Sequence, residues 1–330
     1  MPDKPKIAMY WAASCGGCEI SLANLHQNIL AVDAAFQLFF CPCLVDGKKK
    51  DVEALKDGEL AITFFNGAIR TAENEEMAHL LRKKSKTLIA YGSCACEGCI
   101  PGLSNFHSKD EHLKSIYLDN PSIDNPEKII PQPETQVPEG TLTIPAFFDR
   151  VKTLAKTAEV DYFLPGCPPE SHQVWAVIES VIQGKPLPPK GSVIGAGKST
   201  VCDECEKKKE DKKVGKFYRT YEIVPDREKC LLEQGIMCLG PATSDGCKAQ
   251  CPNNVDMPCT GCYGPPAGVR DQGAKMIAAL GTAIDLGDTS SLSEEQIAAK
   301  VEEVIKAIPD YAGQFYKYSL PGSILREKKY

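Results

Sequence analysis

The sequence predicts an α/β fold: a flavodoxin-like doubly wound parallel sheet, then a smaller, irregular, cysteine-rich unit and C-terminal helices. Three observations predict it. Short, near-continuously apolar runs recur at residues 6–12, 37–43, 60–66, 87–93 and 160–166, each ending at Gly, Pro or Cys. Strands buried on both faces read this way. Helical spacing fills the gaps between them. Leu22, Leu25, Ile29 and Val32 share one face, as do Met77, Leu80 and Leu81, and Val174, Ile178 and Val181. Strands that alternate with helices imply a parallel sheet covered on both sides. Periodicity then fails from 199 to 270, where Cys, Gly and Pro dominate.

The remaining stretches follow in order. Residues 108–145 are polar and Pro-rich and read as a surface excursion. The Pro/Gly stretch 185–198 reads as a linker, giving domains 1–190 and 191–330. The run 207–216, KKKEDKKVGK, reads as a solvated loop, with a docking patch for an acidic redox partner as the alternative. Residues 273–283 form a predicted helix. So do 294–307, with Ile297, Val301 and Ile305 on one face and Ser293 and Gln296 placed as a capping box. The string GSVIGAGKS lacks the first glycine of a phosphate loop, since position 192 is serine, and it follows no strand.

The 330 residues carry a formal charge of −6, which argues against a nucleic-acid surface. No export signal and no apolar run of membrane-spanning length are evident, so a cytoplasmic location without direct membrane insertion is expected. Sixteen cysteines in such a chain point to metal or catalysis more than to disulfides. Five histidines are too few to be the main ligands, which leaves iron–sulfur clusters or zinc. No catalytic nucleophile, acid or base is identifiable. His172 reads as a helix-start residue and Glu19 as a solvated or helix N-terminal acid.

The thiols fall into sets. Cys15 and Cys18 follow the first strand, Cys94 the fourth and Cys167 the fifth. All four belong to strand carboxyl ends, where doubly wound sheets open a ligand crevice. Gly16, Gly17, Gly92 and Gly166 beside them let backbone approach the sulfurs. Buried structural thiols with one C-x-x-C redox pair are the competing reading. Cys202, Cys205, Cys230 and Cys238 form a second set, and Cys247, Cys251, Cys259 and Cys262 a third. Eight thiols between 202 and 262, with little apolar pattern, call for a metal. Prolines at 252 and 258 favour iron–sulfur loops over zinc.

The ordered motifs C-G-G-C, Y-G-S-C-A-x-x-G, P-G-C-P-P, C-L-G-P-A-T and C-T-G-C-Y-G-P resemble the small subunit of [NiFe] hydrogenases, in its cytosolic F420-non-reducing (methyl-viologen-reducing) branch. The resemblance runs from Lys6 to Leu320. It implies a proximal [4Fe–4S] cluster on Cys15, Cys18, Cys94 and Cys167. It implies a medial [4Fe–4S] cluster on Cys247, Cys251, Cys259 and Cys262, and a distal one on Cys202, Cys205, Cys230 and Cys238. Many relatives carry histidine where this chain has Cys202. The implied function is electron transfer from hydrogen oxidation on a large-subunit partner, through three clusters. Further implied partners are a [2Fe–2S] electron-transfer subunit and a heterodisulfide-reductase-type complex. A related iron–sulfur subunit whose large partner lacks nickel is the alternative.

Four thiols remain: Cys41, Cys43, Cys96 and Cys99. Cys99 stands where oxygen-tolerant relatives carry an extra proximal cysteine, but their second extra position is Gly17 here. A proximal cluster modified by Cys99, an extra small cluster on all four thiols, and spare core cysteines are the open readings.

Overall fold

The computed structural model describes residues 4–308 and 310–326. Two compact units result. One takes the described residues up to Gly195 together with those from Leu320 on; the other is Ala196–Ser319.

Among the described residues ten strands follow in chain order: β1 Lys6–Trp11, β2 Gln37–Phe40, β3 Leu60–Asn66, β4 Ile69–Thr71, β5 Ser85–Tyr91, β6 Glu134–Val137, β7 Gly140–Thr143, β8 Phe147–Lys152, β9 Tyr162–Leu164 and β10 Ser192–Val193. Six of them form the main sheet of the first unit, in the order β10-β9-β5-β3-β1-β2, and every pairing is parallel. The five predicted strands are there in flavodoxin-like order. The sixth, β10, lies inside the Pro/Gly stretch read as linker and pairs Ser192 with Tyr162.

The pleat sends alternate residues to opposite faces. Ile7 and Met9 of β1 join Ile62, Phe64, Ile89 and Tyr91 in one apolar layer, closed by Leu22, Val174 and Ile178 from helices and Leu25 from a turn. Ala8 and Tyr10 join Phe65, Leu88 and Ala90 in the opposite layer, closed by Met77, Leu81 and Leu154. Leu88 is fully buried there. Leu88→Ala should cost about 2–5 kcal/mol, the usual penalty for a core leucine cavity. An earlier thermal transition of the sheet would show it.

Asp161 ties three elements together. Its carboxylate takes a hydrogen bond from Arg82 at 2.6 Å and one from the Leu88 N–H at 2.8 Å, and it pairs with Lys190 at 2.6 Å. Burial alone would push this carboxyl up; the bonds from Arg82, Lys190 and Leu88 outweigh it and hold it below the ordinary 3.8. A carboxylate held low in the folded chain adds stability above about pH 4 and loses it as the pH falls through its folded value. Asp161→Asn should therefore cost about 1–3 kcal/mol at neutral pH and flatten the acid limb of a stability-versus-pH curve.

The predicted helices form with adjustments. The first splits into Gly17–Ala23 and Ile29–Ala35 around a 3-10 turn. Helix Glu294–Lys306 carries the expected Ser293–Gln296 capping box. The excursion contains helix Lys109–Tyr117 and the hairpin β6–β7, both largely exposed. No helix among the described residues is long and apolar enough to cross a membrane.

Candidate metal centres

The first centre forms where β1, β5 and β9 end. Cys18 lies buried in the opening turn of helix Gly17–Ala23, and Cys94 lies buried in helix Ser93–Glu97. Cys15 and Cys167 are exposed. Two backbone bonds lock the ends of β5 and β9 together: Gly92 N–H to Leu164 O and Ser93 N–H to Gly166 O, each 2.8 Å. Ser93 Oγ accepts from Gly166 N–H at 3.0 Å. This lock brings Cys94 and Cys167 to one place from positions 73 residues apart. Burial pushes the Cys18 thiol up, and the charges of Cys94, Glu19, Cys167 and Cys15 add to the effect. The first set of four therefore shares one site.

Gly92 is the tightest point of that site. Its φ is +82°, and a Cβ there would stand 2.3 Å from Cys18 Sγ. At Gly17 a Cβ would stand 3.5 Å from Cys15 Sγ. The glycines thus keep a cradle around the sulfurs that a side chain would fill. Glu19, read as solvated or helix N-terminal, is helix N-terminal but buried. Both its oxygens accept from Asn66 Nδ2, at 2.8 and 2.9 Å, and the same group reaches Ser14 Oγ at 2.9 Å. The sequence pattern held no signal for this Asn66 link.

Of the four spare thiols, the structure brings Cys99 to the first set. It is fully buried, its φ is +46°, and its Sγ donates to Cys167 Sγ at 3.7 Å. That bond holds the Cys167 thiol down, to about 7, and pushes Cys99 up. The other three lie elsewhere. Cys96 donates to Ala90 O at 3.3 Å in one apolar layer, while Cys41 belongs to the opposite layer. Cys41 and Cys43 face each other with sulfurs 3.5 Å apart. An extra cluster shared by Cys41, Cys43, Cys96 and Cys99 is therefore not assembled: Cys41 and Cys96 pack on opposite faces of the sheet, and Cys99 stands beside Cys167.

The turn that carries Cys99 is sealed by the end of the chain. A Cβ at Gly98 or Gly102 would come within 2.3 Å of the Pro321 ring. Lys156 Nζ donates to Pro321 O, and Gly322 N–H donates to Glu97 O at 3.1 Å. Burial pushes the Glu97 carboxyl up to about 7, against the pull of Lys156.

The second unit gathers the other eight thiols. Burial raises Cys202 to about 11, with Cys230 and Cys205 as charged neighbours and Lys209 opposing. Gly240 sits between two of the sulfurs: its Cβ would be 3.0 Å from Cys202 Sγ and 3.6 Å from Cys238 Sγ. Burial likewise raises Cys259 to about 12, beside Cys262 and Cys247, and Cys251 lies near Cys247. The two sets adjoin, since Cys259 N–H donates to Cys238 Sγ at 3.3 Å. Val201, Ala249 and Cys259 form a small apolar cluster to which Cys205, Cys238 and Cys247 add their flanks. Ala249 and Lys248 adopt left-handed φ of 47° and 59°, which bends the chain around Cys247.

Among the described residues, no three Cys, His, Asp or Glu side chains converge tightly enough to grip a single ion. A four-iron cube asks for a wider arrangement, because each thiolate binds a different iron. Buried thiols, glycine cradles and backbone N–H donors to sulfur fit that group. No disulfide joins any of the sixteen cysteines.

Residues 15–181 match the family model for the NADH ubiquinone oxidoreductase 20 Kd subunit. Over 329 residues the chain is 40% identical to an F420-non-reducing hydrogenase iron-sulfur subunit from Archaeoglobus profundus, covering 98% of both chains. It is 34% identical over 331 residues to an F420-non-reducing hydrogenase subunit from Methanothermobacter marburgensis, covering 99% of this chain and 98% of that one. Among solved structures it is similar to a chain of an NAD+-reducing [NiFe]-hydrogenase in the H2-reduced state, at 28% identity and a TM-score of 0.48, covering 56% of this chain and 96% of that one. The chain therefore belongs to the family of F420-non-reducing hydrogenase iron–sulfur subunits, the small subunits of [NiFe] hydrogenases.

Proposed function

We propose that this chain is the electron-transfer subunit of a cytoplasmic [NiFe] hydrogenase and holds three [4Fe–4S] clusters. Cys15, Cys18, Cys94 and Cys167 hold the proximal one. Cys247, Cys251, Cys259 and Cys262 hold the medial one, and Cys202, Cys205, Cys230 and Cys238 the distal one. The clusters supply one-electron couples. The chain's own residues supply position and potential: glycine cradles let backbone approach sulfur, and burial excludes water. Electrons released by hydrogen oxidation on the large subunit leave towards a [2Fe–2S] subunit and a heterodisulfide-reductase-type acceptor.

The observation that supports this reading is that thiols scattered from 15 to 262 draw together, the first set where β1, β5 and β9 end and the second and third sets side by side in the second unit. The large subunit docks over the first group, where Cys15 and Cys167 are exposed and exposed Trp11 lies against Gly16. Anaerobic purification of the complex should yield nickel with iron and hydrogen-dependent reduction of a viologen dye. A complex free of nickel that still carries the iron would leave the cluster set standing and remove the hydrogenase role.

Cys99 tunes the proximal centre. Its S–H donates to the Cys167 sulfur, and a donor to a cluster ligand stabilises the more negative, reduced state. Cys99→Ala should lower the proximal potential by up to roughly 60 mV, taking a neutral hydrogen bond at about 0.5–1.5 kcal/mol for one electron. A redox-titrated spectrum identical to wild type would remove this role.

A further inference from the structure

We infer that Cys41 and Cys43 form a reversible dithiol/disulfide pair, a redox modification site for small-molecule disulfides separate from the twelve metal ligands. The sequence C-P-C follows β2 directly. It forms a turn in which Leu44 N–H and Val45 N–H both donate to Cys41 O, each at 2.9 Å. Pro42 occupies the second position, where its fixed φ suits a turn. Residues two apart in such a turn lie within the Cα separation of about 4.4–6.8 Å that a disulfide spans. The two sulfurs already stand 3.5 Å apart, against about 2.0 Å in a closed disulfide.

The pair is asymmetric in the way exchange chemistry needs. Cys43 is exposed, whereas Cys41 is 1% exposed and packs in the apolar layer with Leu22, Leu25 and Phe36. One sulfur meets the reagent and the other waits behind it. The other two spare thiols are held elsewhere, Cys96 by Ala90 O and Cys99 by Cys167.

The step balances with a low-molecular-weight disulfide, R–S–S–R, as oxidant. The Cys43 thiolate attacks one sulfur, and the first R–S departs as a thiolate. Cys41 then loses its proton to solvent and its sulfur displaces the second R–S from Cys43. Two protein thiols give up two electrons and two protons, and R–S–S–R becomes two R–S–H. A dithiol reductant runs the sequence backwards.

The full chain, purified anaerobically with its iron, is equilibrated in glutathione buffers of rising oxidised share. It is then acid-quenched, alkylated, cut with chymotrypsin and read by mass spectrometry at the peptide that begins with Cys41. The wild type should lose both alkyl labels together and become about 2 Da lighter than the unlabelled dithiol. Cys41→Ser should accumulate glutathione on Cys43, at least about ten-fold above wild type, and Cys43→Ser should stay unmodified. Iron content should be unchanged in both variants. Persistent double alkylation of the wild type in fully oxidised buffer would overturn the inference. Wild-type glutathione adduct at the Cys41→Ser level, or iron loss in either variant, would do the same. The three-cluster assignment is read separately, from the iron of the unmodified chain.

Discussion

Gly92→Ala should empty the proximal site. Gly92 adopts φ 82°, ψ 158°, a region that only glycine visits at low cost; another residue held there is strained by about 1–3 kcal/mol. The added Cβ would also lie 2.3 Å from Cys18 Sγ, with Gly166 O at 3.5 Å behind it. Relief requires Cys18 to swing away, which removes a ligand, or the β5–β9 lock to open, which parts Cys94 from Cys167. Either route loses about four irons per chain. Hydrogen-dependent dye reduction should fall at least about a hundred-fold, because the remaining centres lose their donor. Gly184→Ala is the control. Its φ is +63°, yet nothing lies within 4 Å of the added atom, so it should cost about 1 kcal/mol and no iron. Gly92→Ala protein with full iron and a wild-type proximal spectrum would show that Gly92 does not shape the cradle.

Iron removal should unfold the thiol-bearing part of the second unit and leave the sheet intact. Around the second and third sets the thiols flank a small cluster of Val201, Ala249 and Cys259, and the larger buried apolar side chains, among them Leu231, Ile236 and Leu239, are few. The sheet has two full layers, one on each face. Where ligands replace a core, metal-binding free energy is folding free energy, on the order of 10 kcal/mol for a structural zinc site. After anaerobic chelation, amides between residues 200 and 262 should exchange about a hundred-fold faster or more, while those of β3 and β5 keep their protection. Uniform loosening of both units, or none, would contradict the assignment of folding energy to metal in this stretch.

What the sequence revealed, and what it hid, follows from the range of the forces involved. The central strands were legible because parallel strands buried on both faces must be largely apolar, as β3 and β5 are. β10 was not, since two residues between Pro-rich and Gly-rich segments carry no period. The split of helix 17–35 was hidden because Leu22, Leu25, Ile29 and Val32 keep helical spacing through the 3-10 turn. The nearness of Cys15, Cys18, Cys94 and Cys167 was legible from their strand-end positions. The place of Cys99 was open until its left-handed turn was seen, sealed by Pro321 from more than two hundred residues away. Asn66, which fixes Glu19 beside Cys18, stands in a strand with no motif around it.

The most direct test of the central claim is the metal and sulfide content of the chain isolated anaerobically, with Mössbauer spectra to type the iron. Three four-iron clusters predict about twelve irons and twelve acid-labile sulfides per chain, all in cubane environments. Zinc in place of iron, or about eight irons with one thiol set empty, would contradict it.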